Sequence, residues 1–205
     1  MNKLFAFVLA CLVCIGAGAQ EDSFLSHMYL PVDAGASFSS LDGIGGAFYM
    51  RASLEYRFNV HKGFFIVGEI DTRTHPYTGG AIVDGNVYSG DAAFTDILIG
   101  PGYRVMLSDS FKLAFAAQAG ASNVALKHVE LSSSAGAPGM YDLKGVSHWP
   151  LAFKASMMAE YYLNPAFDLF LCAGFPFTSV PVETASSNPL VVFPTVSIGF
   201  SMALQ

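Results

Sequence analysis

The sequence predicts an all-β fold, an eight-stranded antiparallel up-and-down transmembrane β-barrel. Three observations predict it. Large apolar side chains alternate with small or polar ones at period 2 through eight segments, as in strands with one apolar face. Hydrophobic residues make up 53% of the 205, charged residues only 13%, and mean hydropathy is +0.45. Soluble domains carry about 25% charged residues, yet past the N-terminus no run approaches the roughly 18 apolar residues of a spanning helix. Finally, the connections alternate between short and long, as the two rims of a membrane barrel require.

The N-terminus reads as a signal peptide over residues 1–19: Lys3, an apolar run from Leu4 to Ile15, and Ala17-Gly18-Ala19 as a cleavage site. Val8-Leu9-Ala10-Cys11 resembles a lipoprotein box but leaves a very short apolar region before the cysteine. Residues 20–28 form a lead-in and 29–205 the barrel. Cleavage removes Cys11 and Cys14 and leaves Cys172, which has no intrachain partner and reads as a small buried hydrophobe. A net charge of −6 excludes a nucleic-acid footprint.

The first predicted strand, about Tyr29 to Ser40, puts Val32, Ala34, Ala36 and Phe38 on one face. The second, Ala47 to Phe58, sets Phe48, Met50, Leu54 and Tyr56 against Tyr49, Arg51, Ser53, Glu55 and Arg57. The third, Phe64 to Thr74, opposes Phe64, Ile66 and Ile70 to Phe65, Val67, Glu69, Asp71 and Arg73. The fourth, Phe94 to Leu107, turns Ile97, Ile99, Tyr103 and Val105 away from Asp96, Leu98, Arg104 and Met106. The fifth runs from Phe111 to about Ser122, with Lys112 and Gln118 opposite Phe111, Leu113 and Phe115. The sixth, Trp149 to Leu163, opposes Leu151, Phe153, Met157 and Tyr161 to Lys154, Ser156, Met158 and Glu160. The seventh spans Asp168 to about Val180, with Leu169, Leu171 and Phe175 outward. The eighth begins near Val191 and ends at Leu204, with Val196, Ile198, Phe200, Met202 and Leu204 on its apolar face. Pro101, Pro176 and Pro194 lie inside strands and cannot donate to a ladder, so bulges or edge irregularities are expected there.

Residues 59–63, 108–110 and 164–167 are tight turns. Residues 75–93, 123–148 and 181–190 read as long loops rich in Gly, Ser, Pro or Asn, and Leu41–Gly46 is the short member of that second set. The short rim is then periplasmic and carries both termini. Loops 75–93 and 123–148 are the candidate contacts for an external ligand or host factor.

The inward face carries six basic residues, Arg51, Arg57, Arg73, Arg104, Lys112 and Lys154, and six acidic ones, Asp33, Glu55, Glu69, Asp71, Asp96 and Glu160. Eight strands leave an interior just wide enough for side chains to fill, and charges there are costly unless paired. A salt-bridged plug is the expectation, with a narrow ion or proton path along the same side chains as the alternative and no wide pore. No zinc-type spacing, phosphate loop or Ser elbow appears, so no cofactor, metal or catalytic residue is assigned. His27, His61, His75, His128 and His148 are the mature histidines; His128 with Glu130 and Ser132, and His148 beside Ser147, are the loosely suggestive groupings for an enzyme.

In the final strand, Ser197, Gly199, Met202 and Leu204 follow the order polar, Gly, hydrophobic, hydrophobic. This resembles the insertion signal of bacterial outer-membrane barrels, except that Leu204 stands where an aromatic residue is usual and Gln205 follows. With the strand count and loop asymmetry, the chain from Tyr29 to Leu204 resembles the small eight-stranded outer-membrane proteins: the OmpA transmembrane domain, the OmpX group and related outer-membrane β-barrel families. The resemblance implies outer-membrane lipid as surroundings, the barrel-insertion machinery as a partner through the last strand, and a structural or surface-interaction role. Two alternatives stand beside it. One is a lipid A-modifying enzyme on the same scaffold. The other is a secreted lipocalin-like binder, which needs an apolar interior and a Gly-x-Trp near the first strand that this chain lacks.

Overall fold

The computed structural model describes residues 24–40, 44–59, 61–78, 86–126, 129–133, 138–141, 148–164, 166–180 and 190–204. The expected signal peptide lies outside these residues. Eight long strands close a ring: β1 (Met28–Ser37), β2 (Ala47–Arg57), β3 (Gly63–Thr78), β4 (Asn86–Met106), β5 (Phe111–Leu126), β8 (Leu151–Asn164), β9 (Phe167–Ser179) and β11 (Thr195–Ala203). Each pairs antiparallel with the next, and β1 pairs with β11 to complete the cylinder. Closure leaves no open edge around the ring, which is what allows a sheet to sit in lipid. Three short strands, β6 (Val129–Ser133), β7 (Pro138–Tyr141) and β10 (Leu190–Val192), extend one rim.

The expected period-2 faces are present throughout the ring. In β2, Tyr49, Arg51, Ser53, Glu55 and Arg57 are buried while Phe48, Met50 and Leu54 are exposed. In β8, Lys154, Ser156, Met158 and Glu160 are buried while Leu151, Phe153, Met157, Tyr161 and Leu163 are exposed. The outer face is therefore a belt of aliphatic and aromatic side chains, with Ile198 65% and Leu151 73% exposed. Water would solvate such a surface poorly; acyl chains match it. The inner face holds the ionic groups, the reverse of a lipocalin.

Three expectations are corrected and a fourth is refined. Residues 75–93 and 123–148 are not wholly loop. β3 and β4 stay paired out to Thr78↔Ser89, and β4 pairs with β5 as far as Ala92↔Leu126 and with β6 from Ser89↔Glu130 to Asn86↔Ser133. These strands form a tall wall on the long-loop side. Pro76 is tolerated in it because β2 does not extend alongside that part of β3; the Pro76 carbonyl instead accepts from Gly45 N at 2.8 Å. The expected irregularities at the prolines are interruptions of ladders, at Pro101 between β4 and β5 and at Pro194 between β10 and β11, and not shifts of register. Pro194 separates β10 from β11 and lies across from the Pro176 region, where Phe193 N donates to Pro176 O at 2.9 Å, and β9 keeps one register on both sides. The register shift falls instead between Tyr162 and Asn164. Met106, expected inward, is exposed at the short rim. Leu204, expected on the outer apolar face, is buried past the end of β11, where its N donates to Met28 O at 2.9 Å.

The lead-in is also more than a leader. Phe24–His27 forms a 3-10 turn that folds back on β2: Phe24 stacks on Tyr56 at 4.9 Å, and His27 Nδ1 donates to Arg57 O at 2.7 Å.

Candidate functional site

The lumen is the candidate site, because the inward-pointing charges meet there. All eleven interior residues singled out from the sequence are buried in it: Arg51, Glu55, Arg57, Glu69, Asp71, Arg73, Asp96, Arg104, Lys112, Lys154 and Glu160. They stack in tiers along the barrel axis.

The tier nearest the short turns centres on Arg104. Its guanidinium grips Glu160 with two bonds, both 2.8 Å, and reaches Glu55 Oε1 at 2.8 Å. Arg57 pairs with the same Glu55 oxygen and with Asp168 Oδ2 at 3.0 Å, and lies 3.5 Å over the Tyr29 ring. Lys112 completes the tier on Asp168 Oδ1 at 3.5 Å. Three cations face three carboxylates. Asp168 is the member the sequence reading left out. It occupies the inward register between Phe167 and Leu169, and the alternation of its strand was the available signal; its place beside a turn hid it.

Next comes an apolar tier of Phe65, Val67, Ala114, Ala116, Met158, Phe170 and Cys172. Phe65 lies across Gly102, where a Cβ would come within 2.1 Å of the ring, so only glycine fits there. Arg104 lies over Phe65 from one side at 4.9 Å, and Arg51 over Phe170 from the other at 5.7 Å. The tier therefore separates two ionic layers.

In the outer ionic tier, Arg51 holds Asp33 in a two-bond grip, each 2.9 Å, and reaches Glu69 at 3.4 Å. Lys154 bonds Glu69 at 2.5 Å, Tyr49 Oη at 2.9 Å and Asp71 at 3.4 Å. Arg73 spans Asp71 and Asp96 at 2.7 and 2.8 Å. Here three cations face four carboxylates. Two residues of the expected insertion signal contribute to this tier. Ser197 donates to Asp33 Oδ2 at 2.5 Å, and Gly199 sits opposite Asp33, where a Cβ would lie 2.4 Å from the Asp33 Cβ.

An apolar roof closes the long-loop end: Ile44, Ala92, Phe94, Val124, Val180, Val191 and Phe193. Arg73 packs beneath it, 5.2 Å from the Phe94 centroid and 5.0 Å from that of Phe193. His75 is buried among the same rings and ties three segments together. Its Nδ1 faces the Gly45 carbonyl at 2.6 Å and must donate to it, so Nε2 accepts from the Ser37 hydroxyl at 3.2 Å. The outward apolar belt of β3 ends at Ile70 and gives way to Thr72 and Thr74, so His75 lies beyond the membrane-spanning part of the strand. Burial holds the imidazole below its usual range, with the Arg73 guanidinium adding to the effect against the favourable Gly45 carbonyl.

That direction fixes the sign of a pH effect. A roof containing neutral His75 binds fewer protons than the opened segment, so its stability is full above about pH 6.5 and declines as the pH falls below that value. Hydrogen-exchange protection of the Phe38, Ser40 and Gly45 amides, which are bonded across this roof, should fall between pH 7.5 and pH 5 after correction for intrinsic rates. His75→Gln should abolish the difference; an equal loss in that variant contradicts the assignment.

Of the other histidines, His61 is exposed in a short-rim turn and His148 bridges Val124 at the opposite end. His128 and Ser147 lie outside the described residues.

No known family profile matches the chain, and no curated protein sequence matches it. Solved structures do. Neisserial surface protein A aligns with a TM-score of 0.53 at 15% identity, over 86% of this chain and 97% of that one. Ail, the attachment invasion locus protein of Yersinia pestis, in complex with the heparin analogue sucrose octasulfate, aligns with a TM-score of 0.50 at 16% identity, over 86% and 99%. The chain has the fold of the small outer-membrane β-barrels.

Proposed function

We propose that the protein is an exported, closed barrel of the bacterial outer membrane with a structural or surface-presenting role and no conducting pore. The observation that carries this reading is the lumen filled by alternating ionic and apolar tiers. An ion passing through would have to break pairs of buried charges and then cross two apolar layers without water, each a large desolvation cost. In planar bilayers the protein should produce no discrete conductance steps; a stable open channel in the intact protein contradicts the reading.

The long-loop side, including the strand ends that extend it, is the proposed contact surface. Residues 41–46, 75–93, 123–148 and 181–190 carry Asp42, Asp84, Asp91, Glu130, Asp142 and Glu183 against only Lys127 and Lys144. An acidic surface repels polyanions, so a sulfated glycan of the kind bound in the Ail complex does not suit this chain; a neutral or cationic partner does. The insertion machinery would engage β11 through Ser197, Gly199, Met202 and Leu204.

The enzyme reading gains one observation, the Ser37–His75 contact. Both side chains are fully buried beneath the roof, where a lipid substrate has no approach. Ser37→Ala should leave the mass spectrum of the cell's lipid A unchanged; an altered acylation pattern favours the enzyme.

A further inference from the structure

At the short rim, the turn after β2 and the turn after β4 enclose an open cavity of about 340 Å³. Lys62 and Asp109 both line it, with Ser108 beside Asp109. Lys62 and Asp109 are exposed, and the ion pairs among the described residues all lie in the lumen, so neither is paired with a protein group there. Arg104 also borders the cavity, but its guanidinium is committed to Glu55 and Glu160. One free cation and one free anion remain in a single recess.

The recess sits where the barrel leaves the bilayer. Tyr103 and Val105, on the lipid-facing side of β4, and Leu107, just past its end, form its outer wall. Tyr103 packs edge-on against Phe64 at 5.0 Å, an exposed aromatic pair of the kind found at a membrane–water boundary.

We propose that this recess is a binding site for a zwitterionic phospholipid whose head group carries a phosphate and a primary ammonium. Lys62 takes the phosphate, Asp109 takes the ammonium, and the acyl chains lie along Val105 and Leu107. A choline head group has no N–H to donate to Asp109, and a glycerol head group has no cation for it. Both should bind more weakly. The inference rests on the membrane reading above.

The test is native mass spectrometry of the full barrel released from nanodiscs of equal phosphatidylethanolamine, phosphatidylglycerol and phosphatidylcholine. Heat-modifiable gel mobility of the same samples reads insertion independently. The wild type should retain phosphatidylethanolamine about 1.4- to fivefold over the other two, the range of one exposed ion pair. Lys62→Ala and Asp109→Asn should each abolish that preference while leaving heat-modifiability intact. Equal retention of the three lipids, a preference for phosphatidylglycerol, or a preference untouched by both substitutions overturns the site. Displacement by soluble glycerophosphoethanolamine at matching concentration overturns the lipid as its occupant. Loss of heat-modifiability in the wild type removes the membrane reading itself.

Discussion

Arg104→Met is expected to destabilise the barrel by about 3–5 kcal/mol, the cost of leaving a buried charge without its partner. Among the described residues, Arg104 is the sole ion-pair partner of Glu160 and one of two for Glu55. Its removal leaves three carboxylates facing two cations in a layer screened from water. Methionine keeps most of the volume, so the effect reports charge rather than a cavity. Urea unfolding in detergent or lipid, followed by the gel-mobility shift, measures it. The outer tier should respond asymmetrically. With four carboxylates against three cations, Asp96→Asn relieves an excess and should cost much less than Arg51→Met, which enlarges it. Equal costs for those two substitutions contradict the pairing described.

Met157→Arg should destabilise the inserted state by about 2–4 kcal/mol, while Leu163→Arg should cost about 0–1 kcal/mol. Met157 is the central outward residue of the β8 run from Leu151 to Leu163, flanked by Phe115 on β5 and Ala173 on β9. Leu163 lies at the end of that run, near the short rim. An arginine at mid-depth has nowhere to hydrate, whereas one near the rim can extend to the head groups. In a water-soluble barrel both positions are open surface and both substitutions are close to neutral. Refolding yield into vesicles and urea midpoints distinguish the cases.

Much of this architecture is legible locally. β2 and β8 need nothing beyond their own alternation, because a side-chain period of two fixes which residues face in once one face is plainly apolar. The eleven interior charges follow from the same rule. What is not local is their grouping. That Lys154 meets Glu69 and Asp71, and that Arg104 meets Glu55 and Glu160, depends on the stagger between neighbouring strands, which closure of the whole ring determines. The tall wall was hidden for a related reason. Its Gly, Ser and Asn content reads as loop, and only the pairing of β3, β4, β5 and β6 satisfies its backbone as strand. His75 looked like a loop histidine on the same grounds; its partners Ser37 and Gly45 are 38 and 30 residues away. The role of Ser197 and Gly199 as the seat of Asp33 is not legible in their own strand, since it appears only when β11 closes on β1.

The central claim is that apolar side chains face acyl chains and ionic ones face the axis. Single tryptophans at positions 153 to 158, placed in a Trp149→Phe background and refolded into vesicles containing brominated lipid, test it most directly. The structure predicts strong quenching at 153, 155 and 157 and little at 154, 156 and 158, deepest at 157. Quenching absent at every position, or strongest at the even ones, contradicts it.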